Sequence, residues 1–226
     1  MEFFRRVEQK YVLSKMEYTK LNTEMQKYVN KDPYYYSNIL SVYFDTHDDM
    51  LITNSMEKKF YKEKFRLRSY DVCKDNDKVF LEIKKKCNSI TSKRRVTMTL
   101  KDFWDYYNSG VIHQKYINNT MKEIDYDFKK YNLITKIFIS YERYSYFDKT
   151  NKNTRITFDF NARFRTFNLN LDSNNDTKKI IDDDIYIMEV KSLERIPIWL
   201  VKIFSKLKIY PKSFSKYKEA YLKKEV

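Results

Sequence analysis

Residues 65–71 read FRLRSYD, with Arg66 and Arg68 alternating with Phe65 and Leu67. In an extended strand, side chains two apart share a face, so both guanidiniums project from one side and both apolar groups from the other. A guanidinium cannot shed its charge, so such a face needs water or an anion. Charged residues recur at the same spacing elsewhere. Glu8 shares parity with Lys10, Glu82 with Lys84, Lys93 with Arg95, Arg155 with Asp159, and Glu189 with Lys191. Arg143 falls in register with Ile137, Ile139 and Tyr141. Such residues suit phosphate chemistry: Arg offers paired N–H donors to two oxygens, and Lys adds a point charge.

The rest of the composition narrows that chemistry. The chain has 226 residues, 42% hydrophobic, with 21 Tyr and 16 Phe, enough for a core and unlike a disordered segment. A net charge of +14 points to an anionic partner such as a nucleotide, polyphosphate, nucleic acid or membrane surface. The single glycine, Gly110, excludes a Gly-rich phosphate-cradling loop, so phosphate would be held by Arg and Lys side chains. His47, His113, Cys73 and Cys87 are too few for a typical zinc site; any metal would be a hard cation on carboxylates and phosphates. Two cysteines and no signal-like stretch make a reducing cytoplasm the expected location. No apolar run reaches membrane-spanning length, so no membrane span of its own is expected, and a membrane partner is compatible with the sequence.

Period-two alternation predicts eight strands, at 7–12, 39–45, 65–71, 79–85, 93–100, 137–146, 155–161 and 185–191. Eight strands can close a barrel around side chains or one ligand. Ser14 with Glu17 makes a capping box before a helix whose apolar face carries Tyr18, Leu21, Met25 and Tyr28. Further helices are expected over 100–108 with Thr99 and Asp102 as caps, from Thr120 and Glu123 with Met121, Ile124, Phe128 and Tyr131 inward, from Pro197 to about Lys208, and over 214–223. The polar stretch from Asn168 to Asp184 reads as a loop or insertion. With neither repeat nor linker, the simplest organisation is one domain over 1–226.

Two readings of the charged faces compete. In the plainer one, each strand turns its charges to water, as antiparallel sheets commonly do. In the other, helices cover the apolar faces, and the charged faces look into a shared cavity. Lys10, Arg66, Arg68, Lys84, Lys93, Arg95, Arg143, Arg155 and Lys191 would then meet Glu8, Asp45, Glu82, Asp159 and Glu189. A buried excess of cations is costly unless a polyanion neutralises it.

The ordered series E-x-K, F-R-L-R, L-E-I-K, K-R-R, Y-E-R, R-I-T-F-D, M-E-V-K and F-S-K-Y, from Glu8 to Tyr217, resembles the VTC domain, the polyphosphate polymerase branch of the CYTH-like triphosphate tunnel superfamily. The resemblance implies an α+β fold, an eight-stranded antiparallel tunnel-like barrel with helices outside. It also implies transfer of the γ-phosphate of ATP onto inorganic polyphosphate, with Mn²⁺ or Mg²⁺. Carried over, Lys10, Arg66, Arg68, Lys84, Arg143 and Arg155 form the catalytic phosphate wall. Lys93 or Arg95 supplies the basic residue of the K-R-R run, Ser215 and Lys216 the C-terminal phosphate contact, and Glu189 the metal ligand. One departure stands out: superfamily triphosphatases carry E-x-E-x-K on the first strand, and here Arg6 takes the first acidic position. Fewer carboxylates weaken a water-activating metal pair. The alternatives are a tripolyphosphatase or nucleoside triphosphatase on the same scaffold, and a non-catalytic polyanion binder; nucleic acid is not the expected partner, because the basic residues sit on acid-paired strand faces.

Overall fold

A computed structural model describes residues 6–88, 90–193 and 195–224. Its elements, in chain order, are β1 (Arg6–Ser14), α1 (Lys15–Met25), β2 (Val29–Asp45), α2 (Met50–Met56), β3 (Tyr61–Tyr70), β4 (Lys78–Cys87), β5 (Ile90–Thr99), α3 (Leu100–Ser109), α4 (Asn119–Tyr131), β6 (Ile134–Asp148), β7 (Arg155–Arg165), β8 (Lys178–Lys179), β9 (Ile185–Leu193), α5 (Ile198–Leu207) and α6 (Lys216–Lys224). All eight expected strands are present, and the fold is α+β. Strand order along the backbone hydrogen bonds is β1-β9-β7-β6-β2-β3-β4-β5, with β8 on β7. The pairs whose register is described are antiparallel. That path ends at β1 and β5; among the described residues no strand pair closes it into the expected barrel.

The chain divides into two compact units. The first takes the described residues of Met1–Asn38, Tyr141–Ala162 and Lys179–Ser215; the second takes those of Ile39–Ser140, Arg163–Lys178 and Lys216–Val226. In the first, α1 and α5 cover the apolar side of the strands. Tyr11, Leu13, Leu21, Met25, Ile156, Phe158, Met188, Val190 and Leu200 are buried together there, and the rings of Tyr11 and Phe204 lie 4.4 Å apart. In the second, α3 and α4 cover Phe44, Phe65, Leu67, Val79, Leu81 and Ile83. Each fully buried side chain of this size contributes about 1.5–3 kcal/mol. The alternation is therefore enforced from one side: Phe65 and Leu67 are wholly buried, and Arg66 and Arg68 must take the other face.

The capping box forms as expected. Glu17 Nα donates to Ser14 Oγ (3.3 Å), and Glu17 Oε2 accepts from Ser14 Nα (2.8 Å). Ser14→Ala is expected to cost about 1 kcal/mol, a drop of roughly 2–4 °C in Tm for a chain of this size; an unchanged melting curve would contradict the cap. α4 starts from a different cap than expected: Asn118, not Thr120, accepts from the Met121 N–H (2.9 Å).

Two features escape local patterning. α2 has no side-chain cap of its own at Asp49. The Asp45 carboxylate instead accepts the N–H groups of Thr46 (2.8 Å), Leu51 (2.8 Å) and Ile52 (2.9 Å), which corrects its assignment to the charged cavity. The polar stretch after β7 folds around a cation. Arg165, 3% exposed, donates to the carbonyls of Asn168, Asn170, Ser173 and Asn175 and lies 3.8 Å from the Phe138 ring centroid. No helix among the described residues is long and apolar enough to cross a membrane.

Candidate phosphate-binding site

In the second unit the site is built on the face of β3 opposite the core. Register places Arg66 across from Glu82 on β4 and Tyr43 on β2, and Arg68 across from Ser41. Glu82, with a side chain 3% exposed, gathers three cations: Arg66 Nε at 2.6 Å, Lys93 Nζ at 2.5 Å and Arg68 Nε at 3.8 Å. Burial alone would raise its pKa, but the charges of Arg66, Arg68 and Lys93 bring it down to about 2. The Lys93 pKa is lowered as well: burial and the two arginines pull it down against the opposing effect of Glu82. The two candidates of the K-R-R run differ in their neighbours. Lys93 meets Glu82, while Arg95 lies on the same face over the Phe80 ring, 4.8 Å from its centroid.

Lys84 is exposed and sits directly between Lys64 on β3 and Lys93 on β5. Like charges directly opposed across strands are destabilising. A row of three ammonium groups beside two arginines is therefore a surface that a polyanion would stabilise. Tyr43 completes this wall. Its hydroxyl accepts from Arg66 Nη1 (3.1 Å), and its ring stacks on Tyr217 of α6 with centroids 4.6 Å apart. Burial would push the Tyr43 phenol up, but Arg66, Arg68 and Lys64 hold it down at about 8.

In the first unit, β1, β9 and β7 run side by side with Lys10 opposite Glu189, Glu8 opposite Lys191, and Arg155 opposite Lys191. Arg143 forms a two-bond pair with Asp159 (2.6 and 2.8 Å). Arg155 Nη2 meets buried Asp32 at 3.0 Å. Lys10 Nζ donates to the Phe214 carbonyl (3.0 Å), and Lys212 Nα donates to the Lys10 carbonyl (2.8 Å), so the segment leading to α6 lies along β1. Ser215 ends that segment, Lys216 opens α6, and both are half-buried. Glu189 pairs with Lys191 at 3.1 Å. Burial works against its charge, but a hydrogen bond with Glu8 and the charges of Lys191, Lys10 and Arg143 hold its pKa well below the usual range.

Within the second unit Arg66, Arg68, Lys84, Lys93 and Arg95 share one strand face, and within the first unit Lys10, Arg143, Arg155 and Glu189 come together. Sequence reasoning missed Tyr43, Lys64 and Asp32. Lys64 has the parity of Arg66 but precedes the stretch read as a strand, and Asp32 lies in the irregular first half of β2. Four atoms on these walls, Ser41 Oγ, Arg68 Nε, Arg155 Nε and Thr157 Oγ1, are buried without a hydrogen-bond partner. Folded proteins rarely leave such atoms unpaired unless a ligand or water completes them.

Among the described residues no group of three or more His, Cys, Asp or Glu could hold a metal alone. Glu189 and Glu8 form a carboxyl pair, and a hard cation commonly takes one or two carboxylates plus substrate phosphates. The residues therefore fit a cation shared with phosphate.

The sequence matches the VTC domain family over residues 5–223. No curated protein shows a sequence match. Among solved structures, the fold is similar to that of a candidate adenylate cyclase from Bacillus halodurans (TM-score 0.57, 12% identity, 93% of each chain). It is also similar to HpAC1, a candidate adenylyl cyclase of Hippeastrum described as having dominant triphosphatase activity (TM-score 0.52, 12% identity, 94% of this chain and 93% of that one). A third similar structure is PH1819 from Pyrococcus horikoshii (TM-score 0.51, 13% identity, 97% and 99% covered). At these identities the likeness is one of fold.

Proposed function

This chain belongs to the VTC domain family of the CYTH-like triphosphate tunnel superfamily, and from that premise we propose that it is a polyphosphate polymerase. In this reading it works as one cytoplasmic tunnel-barrel domain and moves the γ-phosphate of ATP onto a growing inorganic polyphosphate chain. The observation that most supports the reading is the cationic wall around Glu82: Arg66, Arg68 and Lys93 meet one buried carboxylate, and buried Arg68 and Ser41 atoms stand unpaired beside it.

Phosphoryl transfer is mainly positioning and charge neutralisation. Arg66 and Arg68, backed by Glu82 and Tyr43, are held to grip nonbridging oxygens. Lys84 and Lys93 add point charges along the chain. Arg143, oriented by Asp159, and Arg155, oriented by Asp32, do the same in the first unit, with Lys10 beside Glu189. The bond from Pγ to the β,γ-bridging oxygen breaks, and a terminal polyphosphate oxygen forms the new bond, releasing ADP. That acceptor oxygen is already ionised, so no histidine base is required. Glu189 and Glu8 would hold Mn²⁺ or Mg²⁺ together with phosphate oxygens, and the cation would neutralise charge on the transferring group.

A hydrolytic reading on the same scaffold is favoured by one observation, the triphosphatase activity ascribed to the Hippeastrum neighbour. Arg6, where the triphosphatases carry an acid, weighs against it. Incubation with ATP and Mn²⁺ separates the two: long phosphate chains support the polymerase, and free phosphate alone overturns it. Arg66→Ala should weaken triphosphate binding by about 1.5–3 kcal/mol through loss of a charge-assisted contact. Calorimetric titration with tripolyphosphate measures that loss, and equal affinity would remove Arg66 from the site.

A further inference from the structure

Ser41 is 1% exposed and Thr157 5% exposed, and the hydroxyl of each is buried without a hydrogen-bond partner. Ser41 lies on β2 two residues before Tyr43, so it shares that face, and it pairs directly across from Arg68. Arg68 Nε is itself buried and unpartnered; its 3.8 Å approach to Glu82 is an ion pair too long for a hydrogen bond. Thr157 repeats the arrangement in the first unit. It lies on β7 two residues after Arg155, whose Nε is also unpartnered, and directly across from Glu189. Each unit thus carries an arginine with an unused N–H and, at matching parity or register, a hydroxyl with nothing to bond.

An unpaired buried hydroxyl lowers stability, and an ionised phosphate oxygen only accepts. Donors of both kinds are what that oxygen needs. A hydroxyl also adds a directional contact without adding charge to walls that already hold mutually repelling cations. Resting on the phosphate reading above, we propose that Ser41 and Thr157 are phosphate-contacting residues. Each donates its hydroxyl to a nonbridging oxygen of a nucleoside triphosphate or polyphosphate, beside the free N–H of Arg68 or Arg155.

The proposal predicts opposite signs for stability and binding. Ser41→Ala and Thr157→Val remove a hydroxyl while nearly keeping shape. Each ligand-free variant should melt about 2–4 °C above wild type, because an unpaired buried group is gone. Each should bind tripolyphosphate about 3- to 10-fold more weakly by calorimetric titration. A lower Tm overturns the proposal for that residue, because its hydroxyl is then bonded within the protein or to a buried water. Affinity equal to wild type also overturns it for that residue alone. Wild-type protein that binds no tripolyphosphate overturns the polyphosphate reading and this inference with it.

Discussion

Replacing Glu82 with Gln is expected to destabilise the ligand-free protein by about 3–5 kcal/mol while tightening its hold on tripolyphosphate. The side chain is 3% exposed and faces Arg66, Arg68 and Lys93. Gln keeps the shape but not the charge, so three cations are left facing one another in a partly desolvated place. A polyanion can supply the missing charge, so tripolyphosphate should raise the Tm of the variant more than that of wild type. The ligand-free gap should be roughly 6–20 °C at 2–4 °C per kcal/mol. The pH dependence has a definite sign. The folded pKa of about 2 lies below the ordinary 4.5, so the stabilisation from Glu82 is complete above pH 4.5 and is lost as pH falls toward 2. Melting curves of the two proteins should therefore converge in acid. Coincident curves at neutral pH, or weaker tripolyphosphate binding by the variant, would show that Glu82 does not hold the wall together.

The wall was legible in the sequence because a packed core imposes period two on its strands. Phe65 and Leu67 fix the side of Arg66 and Arg68; Leu81 and Ile83 do the same for Glu82 and Lys84. What stayed hidden depends on contacts and register that no period-two pattern marks. Asp32 stands before Pro33, in a half of β2 without alternation, so nothing local marks it as the partner of Arg155. α2 was missed because its free N–H groups are taken by Asp45, four residues before its Asp49 cap position. For the same reason Asp45, placed by parity on the Tyr43 face, belongs to a helix end. Which lysine or arginine of the K-R-R run meets Glu82 is a matter of strand register, fixed by the β4–β5 pairing and not by composition.

Glu189→Gln is expected to leave nucleotide binding in place and to lower ATP-driven chain growth roughly 10²- to 10³-fold, the scale of losing one preorganised charge at a transition state. Glu189 lies beside Lys191, across from Lys10 and within the influence of Arg143 and Glu8, and it stays ionised although its side chain is only 11% exposed. Gln keeps its size and its hydrogen bonding. It removes the anionic oxygen that a hard cation requires. The cationic wall keeps its charge, so nucleotide without metal should bind as well as before or more tightly. Two roles for Glu189 then give different results. A metal ligand loses apparent Mn²⁺ affinity together with turnover, in a direct Mn²⁺ titration of the nucleotide-bound protein. A residue that only pairs with Lys191 loses stability and leaves the Mn²⁺ titration unchanged. Activity and Mn²⁺ affinity both equal to wild type would exclude Glu189 as the metal ligand, and the Glu8 carboxyl, hydrogen-bonded to it, would be the next to replace.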